Sequence, residues 1–234
     1  MNDIAIILIV GGIVTAIFFG YYFNYNSDSK SRVKDLYAEG LDLLIAGKRK
    51  AAYHNFKEII DKDSDNIKAY LRLGQVLREG GSPTQALKIH KGLIHRKSLS
   101  HYEKIELYKN ISLDYFLSNN LNAAKEELFI ILRLDKTNEW ALSNLVKYHI
   151  AEYSWQPAGE YLKRLQDIKK KPNFHQLALF KIQEGRAFIE EQEYSESRSM
   201  YEAALNIDSD LIASFYFIGN SYSIESGVAY QDAV

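Results

Sequence analysis

The sequence contains no cysteine. Disulfides, thiol nucleophiles and thiolate metal sites are therefore excluded within its 234 residues. Proline is scarce, at 3 residues. An interior proline removes a helical hydrogen bond and clashes with the preceding turn, so its rarity leaves room for long helices. An excess of charge of either sign is missing as well. The 29 basic and 30 acidic side chains give a formal net charge of -1, so no global field favours nucleic acid. Phosphate-binding loops are absent: Gly11-Gly12 lies in an apolar run, and Gly80-Gly81 lacks a following Lys-Ser. No Gly-x-Ser-x-Gly elbow occurs. His54, His90, His95, His101, His149 and His175 are scattered without ligand spacing. No catalytic, cofactor-binding or metal-ligating residue is expected, and His90 reads as a partly buried packing residue.

What is present begins with an uncharged stretch from Ile4 to Phe23. Its 20 residues match the roughly 20 needed to cross a bilayer core as a helix. Thr15 can bond back to the preceding turn, and Tyr21, Tyr22 and Tyr25 stand where an interfacial belt belongs. Only Asn2 and Asp3 lie ahead of the run, and bulky aromatics close it, so an uncleaved anchor over 1–24 is expected rather than a signal peptide. Lys30, Arg32 and Lys34 follow the run and none precede it, which places the remainder in the cytoplasm. Residues 25–32 are polar and read as a linker.

The rest repeats itself. Gly40 and Gly74, Ala52 and Ala86, and Ala124 and Ala158 each stand 34 apart. That is the period of the tetratricopeptide repeat, two antiparallel helices per unit. Small residues in first helices (Gly40, Gly74, Ser112, Gly185, Gly219) face small ones in second helices (Ala52, Ala86, Ala124, Ala158, Ser197), and large apolar residues fill the gaps. The expected fold is all-α, an N-terminal transmembrane helix followed by a right-handed superhelix, an α-solenoid. Units are expected at about 33–66, 67–100, 105–138, 139–172 and 178–211, with a partial one over 212–234. Extra stretches fall at SLSHYEK and around Pro172 to Gln176, and Val146 replaces the small residue in the fourth unit. The half-unit at the end suggests continuation past Val234, because a solenoid seldom leaves its last apolar face bare. The basic stretches Lys88 to Lys97 and Lys169 to Lys171 read as solvated helix ends.

Such repeats bind on a concave side lined by first helices. Candidate groove residues are Tyr37, Leu41, Leu44 and Ile45, then Leu71, Gln75 and Arg78, then Lys109, Leu113 and Phe116. Trp140, Lys147, Arg186 and Ile189 complete the set. Mixed apolar and basic side chains suit a peptide or helix. A carboxylate clamp of paired Lys and Asn is not supported, because Leu113 stands where the Asn partner of Lys109 would be.

The wording of the first units is more specific than the repeat. Gly40 to Leu44, LGQVLREGG from Leu73 to Gly81, ALKIH from Ala86 to His90, and Asp114-Tyr115 ahead of Ala124 follow the anchor in order. Over roughly residues 1–165 the chain resembles the lipopolysaccharide assembly protein B family, with Lys125 where that family often has Glu. The resemblance implies an inner-membrane adaptor facing the cytoplasm. It would bring the lipid A deacetylase to a membrane-bound ATP-dependent protease and so limit lipopolysaccharide output. It also implies an iron- or zinc-binding rubredoxin-like module beyond Val234. A general protein-interaction scaffold in envelope assembly is the alternative, and homo-oligomerisation stays open.

Overall fold

A computed structural model of the chain describes residues 3–96 and 99–232, with the side chains of 3–10, 20–30 and 228–232 outside that description. Among the described residues there are eleven α-helices. They are α1 (Asp3–Ile45), α2 (Arg49–Lys62), α3 (Ile67–Glu79), α4 (Pro83–Lys91), α5 (His101–Leu117) and α6 (Leu121–Leu134). Then come α7 (Glu139–Ala151), α8 (Trp155–Lys169), α9 (Phe174–Glu190), α10 (Tyr194–Ile207) and α11 (Ile212–Asp232). Two compact units divide them, Met1–Ser118 and Asn119–Val234, so the boundary falls at the turn inside the expected third repeat.

In the first unit α1 packs on α2 and α3 on α4. Ala52, Phe56, Ile59, Ala69, Leu73 and Val76 form one core, with Leu36, Tyr37 and Leu41 of α1 against it. Ile67, Leu71, Leu93, Leu99, Leu107 and Ile111 form the next. In the second unit α7 packs on α8 and α9 on α10. Leu142, Leu145, Tyr148 and Ala158 are fully buried there, and Ala178, Ile182, Tyr201, Ala204 and Leu211 form a core that continues into α11.

The small residues of the first helices have a visible purpose. A Cβ on Gly40 would stand 2.9 Å from the Phe56 ring, one on Gly74 2.3 Å from His90, and one on Gly185 2.4 Å from Tyr201. Each pair is 16 residues apart, so a ring on the second helix sits on the bare backbone of the first. Burying an apolar ring such as that of Phe56 contributes about 2–3 kcal/mol, part of which a methyl group in its place would forfeit.

Three boundaries differ from expectation. The stretch over 25–32 is not a turn-rich break but part of α1, since it holds no proline or glycine to stop the helix. The residues expected between the second and third units instead start α5. Ser100 accepts from the Glu103 amide while the Glu103 carboxylate accepts from the Ser100 amide, a complete capping box. Likewise Asn173 caps α9 by accepting from the Gln176 amide, so that helix begins at Phe174.

Among the described residues no helix is long and apolar enough to cross a membrane. The expected anchor falls largely on residues 4–10 and 20–23, whose side chains lie outside the description. Between them, Ile13, Val14, Ile17 and Phe18 are exposed. The Thr15 hydroxyl donates to the carbonyls of Gly11 at 3.0 Å and Gly12 at 2.9 Å.

Candidate functional site

The first helices of the first unit carry side chains at i, i+3 and i+4 that share one face. Lys68, Leu71 and Arg72 of α3 do so, as do Tyr102, Glu103, Glu106 and Asn110 of α5, and α1 adds Tyr37. Together they line a cleft of about 240 Å³. Arg72 is held in place there. Its Nε donates to Tyr37 Oη at 3.4 Å and its Nη1 to Gln75 Oε1 at 2.6 Å, while Gln75 Nε2 donates to Glu79 Oε1 at 2.8 Å. The Ser100 hydroxyl, with the Ser100 amide, lowers the pKa of the Glu103 carboxyl, keeping it ionised at the cleft edge. The cleft thus offers two cations, phenols, an amide and carboxylates, a set suited to gripping a polar peptide segment rather than to bond breaking.

Behind this cleft lies a buried ionic network. Asp114 is 0 % exposed and Arg78 8 %. Arg78 Nη1 donates to Asp114 Oδ1 at 3.0 Å and to Asn110 Oδ1 at 3.0 Å. His90 Nδ1 meets Asp114 Oδ2 at 2.5 Å, and its Nε2 faces the Leu71 carbonyl at 3.2 Å. A carbonyl only accepts, so Nε2 carries a proton. The network ties α3, α4 and α5 together. Two of its partners, Leu71 and Asn110, also line the cleft, so its geometry fixes theirs.

The second unit has its own cleft of about 400 Å³, lined by Tyr153, Trp155, Gln156, Lys181, Glu184, Ala187, Phe188, Glu191 and Met200. An adjoining recess adds Gln183, Arg186 and Glu190. Nearby, His149 stacks on Tyr161 with ring centroids 5.5 Å apart, and neither ring nitrogen has a hydrogen-bond partner among the described residues. Burial, aided by the Lys125 charge, pushes the His149 pKa down. Lys125 itself pairs with Glu152.

The structure sorts the expected groove residues unevenly. Tyr37 and Leu71 line the first cleft, and Gln75 reaches it through Arg72. Leu41 and Leu44 are half-buried and pack against the first core, whereas Ile45 is exposed. Arg78 does not face a groove; its guanidinium is committed to Asp114 inside the protein. Lys109 pairs with Glu106 at 2.8 Å, and Leu113 and Phe116 are half-buried. In the second unit Trp140 and Ile189 are half-buried, Lys147 is exposed, and Arg186 lies in the recess beside Tyr153. Sequence reasoning missed Lys68, Arg72, Tyr102, Glu103, Glu106 and Asn110. Arg72 lies four residues after Lys68, so a helical-face count from Tyr37 and Leu71 had the signal to find them. The aromatic pair Tyr153 and Trp155 carried no such signal, because it spans the α7–α8 turn and the first residue of α8.

No family model matches the chain. Lipopolysaccharide assembly protein B of Escherichia coli (strain K12) is 25% identical over 170 residues, which is 69% of this chain and 43% of that protein. The protein of the same name from Haemophilus influenzae is 21% identical over 230 residues, 92% of this chain and 57% of that protein. The chain thus spans only about half the length of these curated relatives. The crystal structure of a tetratricopeptide repeat protein from Parabacteroides merdae superposes with a TM-score of 0.56 at 15% identity, covering 87% of this chain and 77% of the other. The chain therefore has the tetratricopeptide-repeat fold, and its curated relatives are proteins named lipopolysaccharide assembly protein B.

Proposed function

We propose that this protein is a tetratricopeptide-repeat adaptor of lipopolysaccharide assembly, anchored in the inner membrane with its repeats in the cytoplasm. In this reading it brings the lipid A deacetylase to a membrane-bound ATP-dependent protease and so limits lipopolysaccharide synthesis. The observation that carries it is the match to lipopolysaccharide assembly protein B across 69% of the chain. Three features support the reading. The sequence from Ile4 to Phe23 has no charge and is followed by Lys30, Arg32 and Lys34. Exposed apolar side chains at Ile13, Val14, Ile17 and Phe18 suit a lipid surrounding. The first cleft offers peptide-gripping groups and no nucleophile with an adjacent base. Anchoring confines both partners to one plane and raises their effective concentration. The four thiolates of the iron- or zinc-binding module cannot come from these residues, which include no cysteine, and nothing in this function is routed through it.

Removing the protein from its host is expected to raise the abundance of the deacetylase and the amount of lipopolysaccharide. Unchanged deacetylase turnover, together with no recovery of protease or deacetylase on affinity purification from membranes, would overturn the reading. A topology reporter fused after Gly40 separates it from a scaffold on the far side of the membrane.

A further inference from the structure

Several turns in this protein close by the same pair of backbone bonds. At the first, the Gly47 amide donates to Leu44 at 3.0 Å and the Lys48 amide to Leu43 at 2.8 Å. At the turn between α7 and α8, the Tyr153 amide donates to Ile150 at 3.0 Å and the Ser154 amide to His149 at 2.9 Å. The residue at the centre of such a turn is left-handed, with φ of +72° at Gly47, +84° at Gly81, +62° at Gln192 and +58° at Tyr153; Asn119 and Lys170 are left-handed as well, and Tyr153 is the one aromatic among the described left-handed residues. Glycine adopts that conformation freely, whereas a bulky side chain is strained in it. Tyr153 gains little burial in return, since it is 77% exposed. Its ring instead packs edge-on to Trp155 with centroids 6.2 Å apart, and Trp155 packs likewise on Phe180 at 6.2 Å. Burial of its own ring is therefore not what a tyrosine brings to this turn; its edge contact with Trp155 is.

What the tyrosine does achieve is to wall the cleft of the second unit. Ala187, Phe188 and Met200 give that cleft an apolar lining. Lys181 and Glu184 cancel each other across 2.7 Å. Glu191 in the cleft and Glu190 in the adjoining recess are exposed and form no ion pair among the described residues. Arg186, which donates to Gln183 Oε1 at 3.2 Å, is the recess's one opposing charge. The balance is acidic, and the faces of Tyr153 and Trp155 are negative in their own right.

We propose that this cleft docks a protein segment that carries a bulky apolar side chain beside a lysine or arginine. The apolar group sits against Trp155, Phe188 and Met200, and the cation lies between the Glu191 carboxylate and the Tyr153 ring. The proposal rests on the protein-binding reading above but names a surface separate from the cleft of the first unit.

The test uses the full chain in zwitterionic lipid nanodiscs, with Trp140→Phe so that Trp155 alone reports, and empty discs as the blank. Three peptides of equal length are titrated: one centred on Phe-Lys-Leu-Arg, one with Glu for the basic residues, and one with Ser for the apolar ones. The basic apolar peptide is expected to shift Trp155 emission saturably, with an affinity at least about tenfold above the other two. Tyr153→Gly is expected to weaken that binding about fivefold or more while the melting temperature stays equal or rises. Glu191→Gln is expected to weaken it too, most at low salt. Equal affinities for the three peptides, tighter binding of the acidic one, or unchanged binding by Tyr153→Gly would overturn the proposal. Intact peptide binding with unaltered deacetylase turnover would instead sink the lipopolysaccharide reading alone.

Discussion

Asp114 is the residue on which the first unit turns. It is buried at the end of α5 and balances Arg78 from α3 and His90 from α4. Asp114→Ala leaves a guanidinium and an imidazole buried without their carboxylate. A loss of about 3–5 kcal/mol is expected in urea unfolding. Gly74→Ala attacks the same network from the other side, because its Cβ would stand 2.3 Å from a His90 ring held at both nitrogens. It is expected to cost about 3 kcal/mol. Tyr153→Gly runs the opposite way: relief of left-handed strain offsets the lost Trp155 contact and the freer unfolded chain, so the melting temperature is expected to stay equal or rise slightly. His149 differs from His90 in having no hydrogen-bond partner at either nitrogen among the described residues. Burial depresses its pKa, so the unfolded chain binds its proton more readily than the folded one. Stability from this group is present above the ordinary imidazole range and is lost as pH falls through the lowered folded value. His149→Phe keeps the stack on Tyr161. It is expected to flatten the decline in melting temperature measured between about pH 7 and about pH 5.

At the scale of the element, helix ends matter more than helix interiors. The α5 start is a capping box, and its Glu103 has a lowered pKa because the Ser100 hydroxyl and amide both donate to the carboxylate. Ser100→Ala is expected to cost about 1 kcal/mol at neutral pH. A carboxylate with a lowered folded pKa contributes stability above the ordinary carboxylate range and loses it as pH falls through the folded value. The cost of the substitution, followed by thermal unfolding, is therefore expected to shrink as pH drops into the acid range. The same box explains why α5 begins at His101: residues that look like an insertion to a 34-residue period are the cap that starts the next helix.

At the scale of the whole molecule, repeats contact only their neighbours, so stability is close to a sum of local terms. The damage from Asp114→Ala is thus expected to stay in the first unit. Hydrogen exchange should show lost protection in α3 to α5 and unchanged protection in α9 and α10. Deleting residues 4–23 is expected to move the protein from the membrane pellet to the supernatant without changing the helical circular dichroism per residue of the remainder.

The sequence by itself determined the helical class, the repeat period and the small-residue notches. Each of these is a matter of local spacing within a hairpin, although that a ring 16 residues on fills the notch at Gly40, Gly74 and Gly185 is seen only once the two helices pack. Two of the eight residues lining the first cleft, Tyr37 and Leu71, were legible too, because residues on one helical face can be counted. Only the tertiary structure decided the rest. Arg78 looked like a groove cation until Asp114, 36 residues on, claimed it inside the protein. The ridge of Tyr153 and Trp155 belongs to a cleft whose far wall comes from α9 and α10. Pairings across that distance depend on how one hairpin packs on the next, and no periodicity within a helix encodes them.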